Sequence, residues 1–98
     1  MAVFLVSYEV GFNNPYLKSD IEVIVKRSAY AFCKYLDNAL LIYYPGNIER
    51  LIDELYRLGL SPNDKLLIIQ VDNKFYAHLD EAEKKSIESI FSYMNKSF

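Results

Sequence analysis

Three stretches of the chain are apolar at almost every position and have the length of a β-strand: residues 2–10, Ala39–Tyr44 and Lys65–Val71. They are rich in β-branched or aromatic side chains, and strand breakers such as Gly11 and Pro45 follow them. A strand that is apolar at successive positions is usually buried on both faces of its sheet. We therefore predict that these strands form the centre of a sheet whose second face is covered by the last helix or by another subunit.

Hydrophobic residues recur at helical spacing between these strands and predict three helices. The first spans residues 16–28 and has two candidate start signals. One is Asn14 as a cap with Pro15 at the first helical position, and the other is a capping box at residues 19–22. Either signal suits the first turn of a helix, where backbone N–H groups have no partner within the helix.

The two later helices each have a sequence signal at their start. Asn47 is a good N-cap for the second helix, which ends near Gly59. A second capping box at residues 80–83 opens the third helix. The apolar stripe predicted to dock this third helix consists of Ile87, Ile90, Phe91 and Met94.

A hairpin is predicted where residues 29–36, which alternate loosely, are joined to Ala39–Tyr44 by the two polar residues 37–38. A short fifth strand is predicted at residues 75–77. The resulting order is β-α-β-β-α-β, followed by the short strand and the third helix. This order predicts a single α+β domain over residues 1–98, with the antiparallel sheet of the ferredoxin-like class.

The composition suits one small folded domain, since the chain has 98 residues, of which 52% are hydrophobic and 24% charged. So small a domain buries a modest share of its surface, and oligomerisation is therefore expected. The net charge of −2 gives no overall attraction to nucleic acid or to an anionic membrane. The single cysteine, Cys33, cannot form an intrachain disulfide, which suits a reducing cytoplasm. It is predicted to be a buried apolar residue rather than a nucleophile.

No membrane association is predicted. No apolar run approaches the ~18 residues that a membrane-spanning helix needs. The first apolar stretch is not preceded by a lysine or arginine and is too short for a signal peptide with its cleavage site. We expect a cytoplasmic protein without a membrane partner.

Glu9 is the most suggestive single residue, because it is the only acid of the first strand and stands at its end. Side chains alternate along a strand, so Ser7 and Glu9 share one face while Tyr8 points to the other. Two interpretations of Glu9 are open. A carboxylate at this place can bind Mg²⁺, which helps to activate water on a phosphodiester. Alternatively, Glu9 emerges into solvent where the strand ends.

Other polar and aromatic groups also have two interpretations each. The nine tyrosines suit base stacking, but they also suit small cores and dimer interfaces. A basic edge or a solvated helix face would account for Lys18, Lys26, Arg27 and Lys34. The one histidine, His78, is predicted to be solvated or to contact the start of the last helix rather than to act as a base. No phosphate-binding glycine loop, zinc motif or nucleophile elbow occurs.

Residues 7–10 (Ser-Tyr-Glu-Val), residues 64–69 (Asp-Lys-Leu-Leu-Ile-Ile) and the βαββαβ order resemble the small CRISPR-associated ferredoxin-like endoribonucleases. They are still more similar to a group of short bacterial and phage proteins often labelled SinR-like, and in outline to the virulence-associated protein D ribonucleases. In the nuclease families an aspartate follows an aromatic residue at the end of the first strand, and two copies across a homodimer hold a metal. Tyr8 and Glu9 occupy that place here, with Glu instead of Asp.

The resemblance implies a homodimer formed through the sheet surface, RNA or DNA as a partner, and Mg²⁺ as cofactor. The first hypothesis is an Mg²⁺-dependent nuclease-like homodimer in which Glu9 is the metal ligand and Ser7 and Tyr8 are its catalytic neighbours. The exchange of Asp for Glu moves the carboxylate by roughly a bond length, and metal geometry is sensitive to that distance. The alternative hypothesis is a non-catalytic dimeric module for interaction or regulation, of the phage-defence or toxin–antitoxin type.

Overall fold

Seven elements follow one another in the order βαββαβα within residues 2–11, 16–72 and 78–95, the parts of the chain that this computed structural model describes. The strands are β1 (Ala2–Glu9), β2 (Ala31–Leu36), β3 (Ala39–Tyr44) and β4 (Lys65–Val71), and the helices are α1 (Leu17–Ser28), α2 (Ile48–Tyr56) and α3 (Glu81–Asn95). Each of these elements begins within two residues of its predicted position. The short strand predicted at residues 75–77 lies outside the described residues.

β1 lies in the interior of an antiparallel four-stranded sheet with the strand order β2-β3-β1-β4. Val3 of β1 pairs with Tyr43 of β3 along one edge and with Val71 of β4 along the other. β2 pairs with β3, as the predicted hairpin requires, with an irregularity between Cys33 and Leu36. The fold is therefore α+β, and its strand order is compatible with the ferredoxin-like prediction.

The prediction that three apolar strands form the centre of the sheet is wrong for β4, which is an edge strand of the described sheet. Leu67 and Ile69 of β4 are 55% and 43% exposed. An apolar run indicates that the faces of a strand are covered, whereas its position depends on which backbone edges pair. The composition of β4 therefore carried no information on its place in the strand order.

α1 and α2 pack on one face of the sheet and enclose the larger of two cores. The buried residues of this core are Phe4, Val6 and Tyr8 of β1, Leu40, Ile42 and Tyr44 of β3, Leu17, Ile21 and Val25 of α1, and Leu51 and Leu55 of α2. Burial of one large apolar side chain contributes roughly 1.5–3 kcal/mol. This layer is therefore a principal source of stability.

α3 packs on the opposite face through its predicted apolar stripe. The buried residues of this second core are Ile87, Ile90 and Phe91 of α3 with Val3, Cys33, Leu41 and Tyr43 of the sheet. The side chain of Met94 lies outside the described part of the chain. Cys33 is buried, as predicted, and this burial raises the pKa of its thiol. The last helix therefore covers at least part of the second face of the sheet.

Among the described residues, no helix fully covers the second face towards the end of β1. Leu5 and Ser7 pair with Ile69 and Leu67 of β4, and directly paired residues lie on the same side of a sheet. We call these four residues the open sheet patch. Leu5 and Ser7 are partly buried, whereas Leu67 and Ile69 are exposed. The last helix therefore covers only part of the face that the sequence predicts to be buried.

Two of the predicted helix starts are confirmed by their hydrogen bonds. The side chain of Asn47 accepts the N–H of Arg50 at 2.9 Å. Asp80 and Glu83 exchange two hydrogen bonds, of 2.7 and 3.3 Å, as a capping box requires. Beyond α2, Gly59 has a φ of +72°, the left-handed conformation in which glycine is favoured. These ends depend on neighbouring residues, which explains why the sequence predicts them well.

The capping box predicted at residues 19–22 is wrong, because α1 begins at Leu17 and these residues lie inside the helix. Tyr16 precedes the helix without a side-chain cap, and Asn14 and Pro15 lie outside the described residues. The Glu22 carboxylate, which would have closed the box, accepts hydrogen bonds from two side chains of the sheet. The Glu22 carboxylate therefore makes tertiary hydrogen bonds in place of the predicted local cap.

The substitution Ile90→Asp tests how α3 docks. Ile90 is 3% exposed, so the variant buries a charge without a partner. We expect it to lose about 3 kcal/mol or more of unfolding free energy, measured by urea titration with circular dichroism. Ser89→Asp, at the adjacent exposed position, is the matched control and should stay within about 0.5 kcal/mol of the wild type. Equal stability of the two variants would contradict this orientation of α3.

Candidate functional site

Glu9 ends β1 on the side of the sheet that carries the open sheet patch. Its register partner on β4 is Lys65, and the Lys65 ammonium lies 3.9 Å from a carboxylate oxygen of Glu9. The side chain of Lys65 is 77% exposed and that of Glu9 is 72% exposed. An ion pair so exposed contributes little to stability. In the single chain, Glu9 therefore emerges into solvent beside a cation.

A shallow hollow of about 300 Å³ lies beside this ion pair. Its lining comes from Ser7, Tyr8 and Glu9 of β1, Asn38 of the hairpin loop, and Lys65, Leu66 and Leu67 of β4. The N–H of Tyr8 donates to the carbonyl of Asn38 at 2.9 Å, which holds the hairpin loop against β1. The structure thus brings Ser7 and Glu9 together on one surface, with a cation and an amide side chain nearby.

Tyr8 is placed differently from the other two candidate residues. Its side chain is 2% exposed and belongs to the core beneath α1 and α2. The hydroxyl donates to a Glu22 carboxylate oxygen at 2.6 Å, and the Lys34 ammonium donates to the same oxygen at 2.8 Å. The Tyr8 hydroxyl is therefore occupied on the side of the sheet opposite Glu9.

The pKa values of this Tyr8–Glu22–Lys34 network follow from its geometry. Burial, followed by the hydrogen bond to Glu22, raises the pKa of Tyr8 above its ordinary range. Burial alone would raise the pKa of Glu22, but the hydrogen bonds from Lys34 and Tyr8 and the nearby ammonium groups lower it. Tyr8 is thus a neutral donor and Glu22 an ionised acceptor, and together they fasten α1 and β2 to β1.

The sequence-based predictions do not include this network. Glu22 follows the buried Ile21 and precedes the buried Val25 by three positions, so it borders the inward face of α1. A carboxylate at such a position needs hydrogen-bonding partners. The position of Glu22 beside the buried face of α1 could have indicated such partners. The capping-box prediction instead assigned its carboxylate to the start of the helix.

Asp64 is a second carboxylate close to the end of β1. One of its oxygens accepts the N–H of Gly11 at 2.8 Å, and the other accepts the N–H and hydroxyl of Ser61, both at 2.9 Å. The hydrogen bond from Gly11, followed by those from Ser61, lowers the pKa of Asp64. Asp64 therefore joins the chain leaving β1 to the turn before β4 and helps to hold Glu9 opposite Lys65.

A complete metal site is not assembled by the described residues of one chain. Residues 2–11, 16–72 and 78–95 contain no group of three or more His, Cys, Asp or Glu side chains placed to hold an ion. His78 is exposed, and Asp64 is engaged by backbone donors. Mg²⁺ is often bound by only one or two carboxylates and keeps several waters. A second copy of Glu9 could therefore complete such a site, whereas Lys65 opposes it.

No model of a known protein family matches the chain, and no curated protein is similar to it. Among the described helices, none is long and apolar enough to cross a membrane. The features of this protein that bear on its function are therefore the geometry at the end of β1, the surfaces around it and the motif resemblance described above.

The Tyr8–Glu22–Lys34 network predicts a pH dependence of stability. The pKa of Glu22 in the folded protein lies below its ordinary value of 4.5. Its ionised form therefore stabilises the fold above that pH, and this contribution is lost as the pH falls through the lower pKa of the folded state. Between pH 6 and pH 3, we expect wild type to lose more unfolding free energy than Glu22→Gln.

Urea unfolding at both pH values checks this expectation. At pH 6, Glu22→Gln should be less stable than wild type by about 1–2 kcal/mol, because a charged acceptor has been removed. Glu49→Gln, which alters an exposed carboxylate on α2, is the matched control and should keep the wild-type pH dependence. Parallel pH profiles for wild type and Glu22→Gln would contradict the role assigned to the network.

Proposed function

We propose that this protein is a ferredoxin-like homodimer whose subunits meet through the open sheet patch. The observation that supports the dimer is the exposure of Leu67 and Ile69 beside Leu5, on a sheet face that α3 leaves uncovered. Contiguous apolar surface of this kind marks association sites in proteins. A second copy is a suitable occupant because the patch is bordered by charges of both signs, Glu9 and Lys65.

Two-fold symmetry makes this arrangement self-complementary. In an isologous interface, a residue i of one subunit contacts j of the other, and j contacts i. Packing two patches against each other buries the leucine and isoleucine side chains at the centre. Glu9 and Lys65 are then at the rim of the interface, where Glu9 can approach either the partner's lysine or the partner's own carboxylate.

The proposed activity is Mg²⁺-dependent cleavage of RNA or DNA at this rim, with Glu9 from each subunit as the metal ligand. It is supported by the resemblance of residues 7–10 and 64–69 to the small CRISPR-associated endoribonucleases and the SinR-like group. Bound Mg²⁺ would supply an activated water and offset the charge of the phosphodiester. Ser7 lies on the same face and offers a hydroxyl to the substrate, while Tyr8 holds the strand in position from the other side.

The second candidate is a non-catalytic dimeric module for interaction or regulation, of the phage-defence or toxin–antitoxin type. The specific observation in its favour is Lys65, whose ammonium is 3.9 Å from Glu9. A lysine from the same or the other subunit neutralises the carboxylate without a metal. In that case the rim charges determine the register of the dimer, and Glu9 has no catalytic role.

The variant Leu67→Lys tests the dimer. At micromolar concentration, we expect wild type to scatter light as a dimer and Leu67→Lys as a monomer, because the lysine places a charge inside the proposed interface. Tyr56→Lys, at a residue that is 69% exposed on α2, is the matched control and should remain dimeric. A wild type that is monomeric throughout this concentration range would refute the dimer and both functions built on it.

The variants Glu9→Gln and Lys65→Gln test the metal and separate the two functions. If Glu9 binds the ion, Mg²⁺ or Mn²⁺ should raise the melting temperature of wild type by several degrees, since about 2.7 kcal/mol is gained at a hundredfold excess over Kd. Glu9→Gln should lose this rise and any metal-dependent cleavage of labelled RNA or DNA. Lys65→Gln should increase the rise, because a competing cation is gone.

The outcomes distinguish the candidates. A metal-induced rise with cleavage, both lost in Glu9→Gln, supports the nuclease. A wild-type dimer that neither responds to metal nor cleaves nucleic acid supports the non-catalytic module. In that case, Glu9→Gln should instead change the dependence of dimerisation on salt, which light scattering at two ionic strengths measures.

A further inference from the structure

β2 is an edge strand with a groove beside it. It pairs with β3 on one side, and no other strand of the described sheet pairs with it. Alternate residues of an edge strand direct their backbone N–H and C=O groups away from the sheet, where an extended chain can pair with them. The groove has a volume of about 370 Å³ and lies between β2 and α3. Its lining includes Ala31 and Phe32 of β2 and Lys85, Ser86 and Ser89 of α3.

The groove reaches the outer edge of β2. Ala31 pairs with Tyr43 of the second core, whereas Phe32 pairs with Ile42 of the larger core. Directly paired residues lie on the same side of a sheet, so the side chains of Ala31 and Phe32 point to opposite faces. A groove that both residues line therefore extends to the strand edge between the two faces. α3 forms a wall along that edge.

The two faces beside this edge carry different groups. On the face of α1 and α2, Phe32 is 46% exposed, and the ammonium of Lys26 lies 5.3 Å from the centroid of its ring. Lys34 donates to Glu22 of α1 on the same face, and Lys26 acts on the same carboxylate, so neither cation is free for a ligand. On the face of α3, the groove contains one charged side chain among its lining residues, Lys85, and no acid.

We propose that the outer edge of β2 binds an extended segment of a partner protein in which apolar and acidic side chains alternate. Successive side chains of a strand point to opposite faces. Such a segment therefore places its apolar groups beside Phe32 and its acids in the groove beside Lys85. Its backbone pairs with that of β2, as in other cases of strand addition to a sheet edge. The small side chains of Ser86 and Ser89 leave room for it below α3.

A second copy of β2 suits this edge less well than a partner segment. Residues 31–36 contain no acid that could meet Lys85. Lys34 stands within the strand, and its pairing with β3 is irregular between Cys33 and Leu36. Lysines and bulges on edge strands oppose pairing between copies of a protein. Regular pairing over residues 31–33 is nevertheless available to a short partner segment.

This surface is separate from Glu9. β2 is at one edge of the described sheet, whereas Glu9 and Lys65 lie where β1 meets β4, at the other. Binding at β2 therefore requires neither Mg²⁺ nor the dimer through the open sheet patch. It goes beyond both proposed functions and is compatible with each of them.

Fluorescence anisotropy with a labelled eight-residue peptide of alternating valine and glutamate measures this binding. We expect saturation as the protein concentration is raised to about 0.5 mM. Lys85→Glu should weaken binding about tenfold, because one attraction is replaced by one repulsion. The same variant should bind a peptide of alternating valine and lysine more tightly than wild type does. Methylation of every backbone nitrogen of the valine–glutamate peptide should abolish binding, since its N–H donors are lost.

Arg57→Glu, which reverses an exposed cation on α2, is the matched control and should bind the peptide as wild type does. Melting temperatures verify that each variant is folded. Amide hydrogen exchange followed by NMR locates the peptide, which should slow exchange in residues 31–33 and not in β4.

Four results would each overturn the proposal. The first is a wild type that does not bind the valine–glutamate peptide, or that binds the methylated or valine–lysine peptide as tightly. The second is a Lys85→Glu variant that binds like Arg57→Glu. The third is protection of β4 instead of β2. The fourth is protection of β2 that rises with protein concentration before peptide is added, which would identify a second copy as the occupant.

Discussion

Burial of β1 on both faces and pairing along both of its edges is the constraint on which this structure depends. Phe4 and Val6 face the core under α1 and α2, while Val3 faces the core under α3. A strand without a wet face must have cover on each side, so helices are required above and below the sheet. A strand with both edges paired leaves β2 and β4 as the outer strands of the described sheet.

This constraint weakens towards the end of β1, and the candidate chemistry is found there. α3 covers Val3 but leaves Leu67 and Ile69 of the open sheet patch exposed, so apolar surface and the charged residues Glu9 and Lys65 come to lie side by side. The strand end is nevertheless held firmly. Tyr8 is hydrogen-bonded to Glu22 beneath the sheet, and Gly11 donates to Asp64 beyond it. These hydrogen bonds hold in place the backbone that carries Glu9.

The two outer strands present different chemistry to a partner. β4 exposes aliphatic side chains beside one acid and one base, and this is the surface proposed above to meet a second copy. At β2, the exposed ring of Phe32 lies under the ammonium of Lys26, on the sheet face that α1 and α2 cover.

Local patterns in the sequence determined the element order, the buried stripes and the caps at Asn47 and Asp80, because each of these depends on residues a few positions apart. The alternation along β1 also placed Ser7 and Glu9 on one face. The hydroxyl of Tyr8 and the carboxylate of Glu22 were beyond such reasoning, because their contact joins residues 14 positions apart.

The edge position of β4 and the limited reach of α3 were likewise decided only by the tertiary structure. An apolar strand looks the same in sequence whether one or both of its edges are paired, and an apolar helix stripe does not state how much of a sheet it covers. The contact between Gly11 and Asp64 spans 53 positions. Whether Glu9 meets a lysine, a second carboxylate or only water depends on such long-range pairing, since side chains far apart in the chain meet only when the whole sheet has formed.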